Sequence, residues 1–257
     1  MSGTAALRTH GLNIEAGGRA LVTGLELAFP AGSFNAVLGR NGSGKTLTLL
    51  TLAGLRPPGA GQIELAGRLL STLSRRTVAR QLGLLAQDID PGFATTALES
   101  VLVARYPHLP LLARESAADL AIAADALRHV GLDGLEHRMT DTLSGGERRR
   151  CAVAALLAQQ PRMYLLDEPT NHLDPHHQLA VLELFQNLCR QGHTVIATLH
   201  DPTLAARFAD QALLLHGDGR WQAGAADQLL TSEALGELYH TPMVQLESHN
   251  HRVFANA

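Results

Sequence analysis

The sequence predicts an α/β fold built on parallel strands, and three observations predict it. From Met163 onward, apolar strand-like runs alternate with amphipathic helical stretches, the rhythm of parallel strands joined by crossover helices. A short apolar run, residues 35–38, leads straight into a glycine-rich loop and then into a helix. Between these regions, residues 88–160 turn rich in Ala, Leu and charge at helical spacing, which marks a helical insertion within the α/β framework.

The elements follow in order. Residues 4–38 read as β-rich: Leu25, Leu27 and Phe29 alternate with polar or small residues, and Pro30, Ala31 and Gly32 make a turn. Residues 46–55 read as a buried helix. Residues 62–70 read as a strand, a turn at Gly67 and a second short strand. Ser74 caps a short helix carrying Arg75, Arg76 and Arg80, and residues 82–86 return to strand. Ser116 and Asp119 form a capping-box start for a helix on which Leu120, Ala123, Ala124 and Leu127 share a face. Then come a strand at 163–166, a helix near 178–190, a strand at 194–199, a helix near 202–208 and a strand at 212–215. His216 to Gly219 makes a tight turn, and residues 221–257 form a tail with one helical stretch, 227–238.

Composition bounds the function. The 257 residues are 46% hydrophobic and 18% charged, so a sizeable core forms and disorder is excluded. Aromatics are only 4%, so that core is mostly aliphatic. Lys and Arg number 21 against 24 Asp and Glu, a formal charge of −3, which argues against a bulk electrostatic grip on nucleic acid. The two cysteines, Cys151 and Cys189, are too few for a disulfide framework and lack a metal-ligand spacing, so they read as core thiols in a reducing compartment. Met1 to Thr4 opens no secretory signal. The most apolar run, 151–158, falls short of the roughly 20 residues that span a bilayer. Any membrane role is expected to come through a partner.

Three motifs carry chemistry. Gly39-Arg40-Asn41-Gly42-Ser43-Gly44-Lys45-Thr46 fits G-x-x-x-x-G-K-[ST] between a strand and a helix. Its glycines let backbone N–H groups close around phosphates, and the helix N-terminus adds positive potential. Lys45 would reach the β- and γ-phosphates, and the Thr46 hydroxyl would ligate Mg²⁺. The second motif is a buried apolar run, 163–166, ending in Asp167 and Glu168. Asp167 would hold Mg²⁺, and Glu168 would orient or deprotonate an attacking water. The third is Leu143-Ser144-Gly145-Gly146-Glu147, another anion-binding helix start. Two phosphate-facing helix starts in one chain suggest two chains sandwiching nucleotide.

Together these residues resemble the ATP-binding cassette (ABC) ATPases, whose signature motif is LSGGE. The resemblance spans roughly residues 7–230. It implies a P-loop NTPase (RecA-like) core with an N-terminal antiparallel β-subdomain and an inserted α-helical subdomain. The division expected is 1–87 and 161–220 for the core with its β-subdomain, 88–160 for the helical signature subdomain and 221–257 for the C-terminal tail, all within one nucleotide-binding domain. The resemblance further implies that Gln87 is the Q-loop glutamine, also contributing to Mg²⁺, and that His200 is the switch histidine. Residues 169–174 match the D-loop. ATP and Mg²⁺ are the cofactors implied. Each site would combine Gly39–Thr46, Gln87, Asp167, Glu168 and His200 of one chain with Ser144, Gly145 and Gly146 of a second copy, as a homodimer.

Two departures from the family pattern stand out. The adenine-stacking aromatic upstream of the P-loop is missing, its place falling near Ala16, with Arg19 the candidate cover; base stacking is worth roughly 1–3 kcal/mol. The usual Ser-Thr pair after the lysine is Thr46-Leu47 here, at a cost of about 0.5–1.5 kcal/mol. Neither removes the hydrolytic groups.

Ala104-Arg105-Tyr106-Pro107-His108 and the tail from Leu235 to Phe254 resemble the importer ATPases for ferric siderophores, cobalamin and heme. This implies a chain at the cytoplasmic face of a bacterial inner membrane, peripheral through a separate transmembrane permease dimer that receives cargo from a periplasmic or extracellular substrate-binding protein, with no nucleic acid involved. Cobalamin and ferric siderophore lead as cargo, with heme third. The stretch from Gln87 through His108 is expected to face the permease. Alternatives are a soluble ABC ATPase acting on a macromolecular partner such as an iron–sulfur assembly complex, and a small-molecule P-loop kinase. His172, His176, His177, His249 and His251 read as surface histidines, and Arg148, Arg149 and Arg150 as the surface of the signature helix.

Overall fold

The computed structural model describes residues 5–87, 95–110, 113–171, 173–248 and 251–257. The chain opens with β1 (Ala5–Ala16), β2 (Arg19–Pro30) and β3 (Phe34–Gly39), followed by α1 (Lys45–Leu52), β4 (Ala60–Leu65), β5 (Arg68–Leu69), α2 (Arg75–Gln81) and β6 (Leu82–Leu85). A helical stretch follows: α3 (Ala97–Leu102), a 3₁₀ turn at Val103–His108, α4 (Ala117–His129) and α5 (Gly145–Gln159). Then strands and helices alternate: β7 (Met163–Leu166), α6 (Pro175–Arg190), β8 (Thr194–Thr198), α7 (Pro202–Phe208), β9 (Gln211–Leu215) and β10 (Trp221–Ala225). The chain closes with α8 (Ala226–Leu229), α9 (Ser232–Tyr239), β11 (Met243–Ser248) and β12 (His251–Asn256).

Two sheets organise the molecule. The antiparallel sheet runs β2-β1-β4-β5, and the six-stranded sheet runs β10-β9-β3-β8-β7-β6. In the latter, β9, β3, β8, β7 and β6 are mutually parallel, with β10 antiparallel on the edge. Every residue of β3 is buried, as a central strand covered on both faces requires. Its alternate side chains part to two cores. Phe34, Ala36 and Leu38 pack with α5 and α6, whereas Val37 packs with α1 and the antiparallel sheet. The sheet therefore ends all its parallel strands, and their loops, at one rim.

Three local expectations need correction. The helix expected over 46–55 ends at Leu52, because Gly54 turns the chain at φ 67° and leaves Leu55 exposed. The buried face of α4 is Ala123, Ala126 and Leu127 with Val130 beyond its end, whereas Leu120 is 43% exposed. The region from Trp221 is no simple tail: β10 completes the core sheet, Thr231 caps a second helix where one was expected, and β11 and β12 form a hairpin that buries Phe254.

The Ser116–Asp119 capping box and the Ser74 cap are formed as expected. Cys151 and Cys189 are buried, free thiols, and burial, followed by the charge of Asp210, pushes Cys189 up to about 12. Among the described residues no helix is long and apolar enough to cross a membrane.

Candidate active site

The site lies at the rim where β3, β7 and β8 end. Beyond β3 the chain closes into the loop that begins α1. The loop is tight: a Cβ on Gly39 would come 2.6 Å from the Leu215 carbonyl oxygen, and Gly44 takes φ 99° at the head of the helix. Lys45 is buried, and its Nζ donates to the carbonyls of Gly39 at 2.8 Å and Arg40 at 3.3 Å, so the ammonium is folded over its own loop. Burial lowers the Lys45 pKa, while the charges of Glu168 and Asp167 oppose the shift.

Asp167 and Glu168 follow β7 and are both buried. Glu168 takes φ 49°, a conformation that L-residues adopt at a cost. Its carboxylate gathers three donors. Gln87 Nε2 donates to Oε2 at 2.9 Å, Asn171 Nδ2 also donates to Oε2, and His200 Nε2 lies 2.5 Å from Oε1. An ionised carboxylate only accepts, so in this arrangement His200 carries its proton on Nε2.

Lys45, Glu168 and the three donors to its carboxylate share one cleft of about 720 Å³, within the range of small-molecule sites, and Asp167 lies behind its lining. Lys45, Thr46, Gln87, Glu168, Asn171 and His200 line it, and Ala16 and Arg19 line it as well. Ser144, Gly145 and Gly146 do not line it; they head α5, where Ser144 and Glu147 form a reciprocal capping box. One chain thus assembles most of the expected nucleotide groups and leaves the Ser144 helix start pointing elsewhere.

Three side chains make contacts in this site that the sequence reading did not give. Arg149 was expected on the surface of its helix, yet it is 3% exposed. Its guanidinium donates to the carbonyls of Ala86 and Gln87 at 2.6 and 3.2 Å, and to those of Asp167 and Glu168 at 2.7 Å each. The available signal was its position four residues before Val153, on the buried face of α5. Thr198 has no exposed surface and hydrogen-bonds at the base of both carboxylates. Asn171 belongs to the loop after the carboxylates, but its contact with Glu168 follows only from the turn there.

Among the described residues no group of three or more His, Cys, Asp or Glu suits a metal ion. His177 sits at the start of α6, its Nδ1 2.8 Å from Asp174 Oδ2. His172 and His249 lie outside the described residues, as do residues 88–94 of the stretch from Gln87 to His108.

The model of the ABC transporter family matches residues 22–171, more than half of the chain. The chain is 37% identical over 236 residues to the ferric enterobactin transport ATP-binding protein of Escherichia coli, covering 91% of this chain and 87% of that protein. It is 42% identical over 215 residues to the hemin import ATP-binding protein of Deinococcus radiodurans, covering 82% and 80%. Among solved structures, a transporter described as of the metal-chelate ABC type, in an inward-facing conformation, superposes with a TM-score of 0.86 at 31% identity, covering 98% of both chains. An ATP-binding cassette solved as a dimer with ADP and phosphate shares the fold, with a TM-score of 0.75 at 23% identity over 86% of this chain and 98% of that one.

Proposed function

Because the chain belongs to the ABC transporter family, as one of its ATPases, we propose that it powers a membrane importer for a ferric siderophore or heme. The observation that carries this reading is the convergence of Lys45, Thr46, Gln87, Glu168 and His200 on one cleft in a chain whose relatives are named for enterobactin and hemin transport. Cobalamin, the other leading cargo expected from the sequence, has no support among the relatives named.

The chemistry follows from the residues. The loop Gly39–Thr46 and the first turn of α1 bind the phosphates, with Lys45 releasing its loop carbonyls to pair with them. Water attacks the γ-phosphorus, its proton passes toward Glu168, and the bond to the bridging oxygen of ADP breaks. His200 and Gln87 hold the Glu168 carboxylate in place while this happens. Thr46 and Asp167 offer the hard oxygen donors that Mg²⁺ prefers, and Gln87 a third, so the residues fit that ion. Bound there, Mg²⁺ supplies neutralisation of the charge developing on the phosphate oxygens.

That Ser144, Gly145 and Gly146 do not line their own chain's cleft supports the reading that they serve the cleft of a second copy. On this reading residues 88–160 form the arm that carries them, and hydrolysis opens the dimer to produce motion.

A second groove supports a permease partner. It measures about 380 Å³ and runs between β6, α3 and α5, with Leu84, Leu85, Ala86, Ser100 and Ala104 on its walls. Beside it Val103 and Tyr106 are 69% and 73% exposed. Their turn is rigidly held. Arg105 is buried and pairs with Asp119 at 2.9 Å, with the Ala158 carbonyl at 2.8 Å and with Gln160 Oε1 at 2.9 Å, while Arg76 and Arg80 both donate to the Pro107 carbonyl. A groove of mixed polar and apolar lining, which includes Arg148 and Gln159, beside two outward hydrophobic side chains suits an amphipathic helix of the permease. The chain would then sit peripherally on the cytoplasmic face of the inner membrane, with a substrate-binding protein delivering cargo on the far side.

The test is recovery of the tagged full chain from gently solubilised native membranes, with partners identified by mass spectrometry. A many-span permease is the expected partner, and the iron chelate that stimulates hydrolysis by that complex then names the cargo. Exclusively soluble partners would overturn the importer reading.

A further inference from the structure

We propose that Thr198 is a positioning residue that locks the metal-holding and water-activating carboxylates in register. In the sequence it stands two residues before His200, in the stretch that carries the switch histidine, with no role of its own. Thr198 ends β8, opposite Val37 of β3, and is completely buried. Its one hydroxyl is used in both directions. Oγ1 donates to Asp167 Oδ1 at 2.7 Å and accepts from the Glu168 amide at 2.8 Å. The polarity is forced, because a carboxylate can only accept and an amide N–H can only donate.

The second bond is made at the residue whose backbone is strained. Glu168 holds φ 49°, a conformation that persists only where its surroundings over-determine it. Among the described residues the backbone there is held by the Arg149 guanidinium on the Asp167 and Glu168 carbonyls, the Leu85 carbonyl on the Asp167 amide at 2.8 Å, the Asn171 amide on the Glu168 carbonyl at 3.2 Å, and Thr198 on the Glu168 amide. Of these only Thr198 also reaches the Asp167 carboxylate. It therefore ties the direction of the Asp167 side chain to the backbone turn that aims Glu168. Valine matches the shape of threonine but neither donates nor accepts; serine keeps both bonds and loses only the methyl group. The inference rests on the roles given above to Asp167 and Glu168.

The test uses the purified full chain with Thr198→Val and Thr198→Ser, and Glu168→Gln and Asp167→Asn alongside. Hydrolysis is measured as kcat and KM, binding of a fluorescent ATP analogue is measured with and without Mg²⁺, and melting temperature is recorded for each variant. Thr198→Val is expected to lower kcat about 10- to 100-fold, the scale set by small displacements of reacting groups. It should leave Mg²⁺-free binding of the analogue unchanged and lose most of the tightening that Mg²⁺ brings. Thr198→Ser should restore both, whatever it does to the melting temperature.

Wild-type kcat and a wild-type Mg²⁺ response in Thr198→Val would overturn the proposal. So would a loss that Thr198→Ser shares in full, since that would assign the effect to the methyl group. Wild-type hydrolysis by Glu168→Gln would overturn the role of Glu168 instead, and the Mg²⁺ response of Thr198→Val would still report on Asp167.

Discussion

The guanidinium of Arg149, on α5, donates to the carbonyl of Glu168 at 2.7 Å across 19 residues of chain. The same side chain holds the carbonyls of Gln87 and Asp167. One buried cation thus binds the helix headed by Ser144 to the backbone of Asp167 and Glu168.

Removing the guanidinium should cost stability and activity together. A hydrogen bond to a charged group contributes about 1.5–3 kcal/mol, and Arg149→Ala removes several. Denaturant unfolding should show a loss of at least that size, with hydrolysis reduced more than nucleotide binding. Arg149→Lys should recover only part of it, because an ammonium cannot fork between two pairs of carbonyls. Wild-type stability in Arg149→Ala would show that the carbonyls find other donors.

Glu168→Gln should keep ATP bound and stop its hydrolysis. The amide preserves the shape of the carboxylate but takes no proton. With ATP and Mg²⁺, light scattering should then report a dimer that dissociates when nucleotide is removed. A chain that stays monomeric under those conditions would break the two-chain site built on Ser144, Gly145 and Gly146.

An aromatic at Ala16 should tighten nucleotide binding. Ala16 ends β1 and pairs with Arg19 at the start of β2, and both line the cleft. Stacking of a base on an aromatic ring is worth about 1–3 kcal/mol, so Ala16→Phe should improve ATP affinity about 5- to 150-fold. Unchanged affinity would mean that another group already covers the base, and a loss in Arg19→Ala would identify it.

The Arg105–Asp119 pair should shape the acid limb of stability. Hydrogen bonding from the Ser116 hydroxyl, then from Arg105, holds the Asp119 carboxyl down at about 2. A depressed folded-state value stabilises the native protein above the unfolded-state value of about 3.9 and ceases to do so as pH falls toward about 2. Asp119→Asn should therefore lower stability near neutral pH and flatten its decline between about pH 4 and pH 2. An unchanged acid limb, followed by circular dichroism, would remove Asp119 from that account.

The local readings came from local physics. The loop Gly39–Thr46 is legible because phosphate binding needs small residues, a lysine and a helix start within eight positions. Asp167 and Glu168 are legible because four apolar residues before them make a buried strand. The Ser144–Glu147 and Ser116–Asp119 boxes each close within a single turn. Nothing distant is needed to see any of these.

What the tertiary structure decided are the properties that depend on which neighbour covers a surface. Leu120 is apolar and sits at helical spacing, yet among the described residues it stays largely exposed. Arg149 is charged and was expected on the surface, yet the carbonyls of Gln87, Asp167 and Glu168 solvate it in place of water. Trp221 to Ala225 became an edge strand of the six-stranded sheet because β9 offered an open edge. Thr198 looks like any β-branched strand residue until β7 brings Asp167 beside it. Propensity and motif chemistry act over a few residues and are written along the chain, whereas burial and hydrogen-bond partnership are decided by segments that meet only when the sheet assembles.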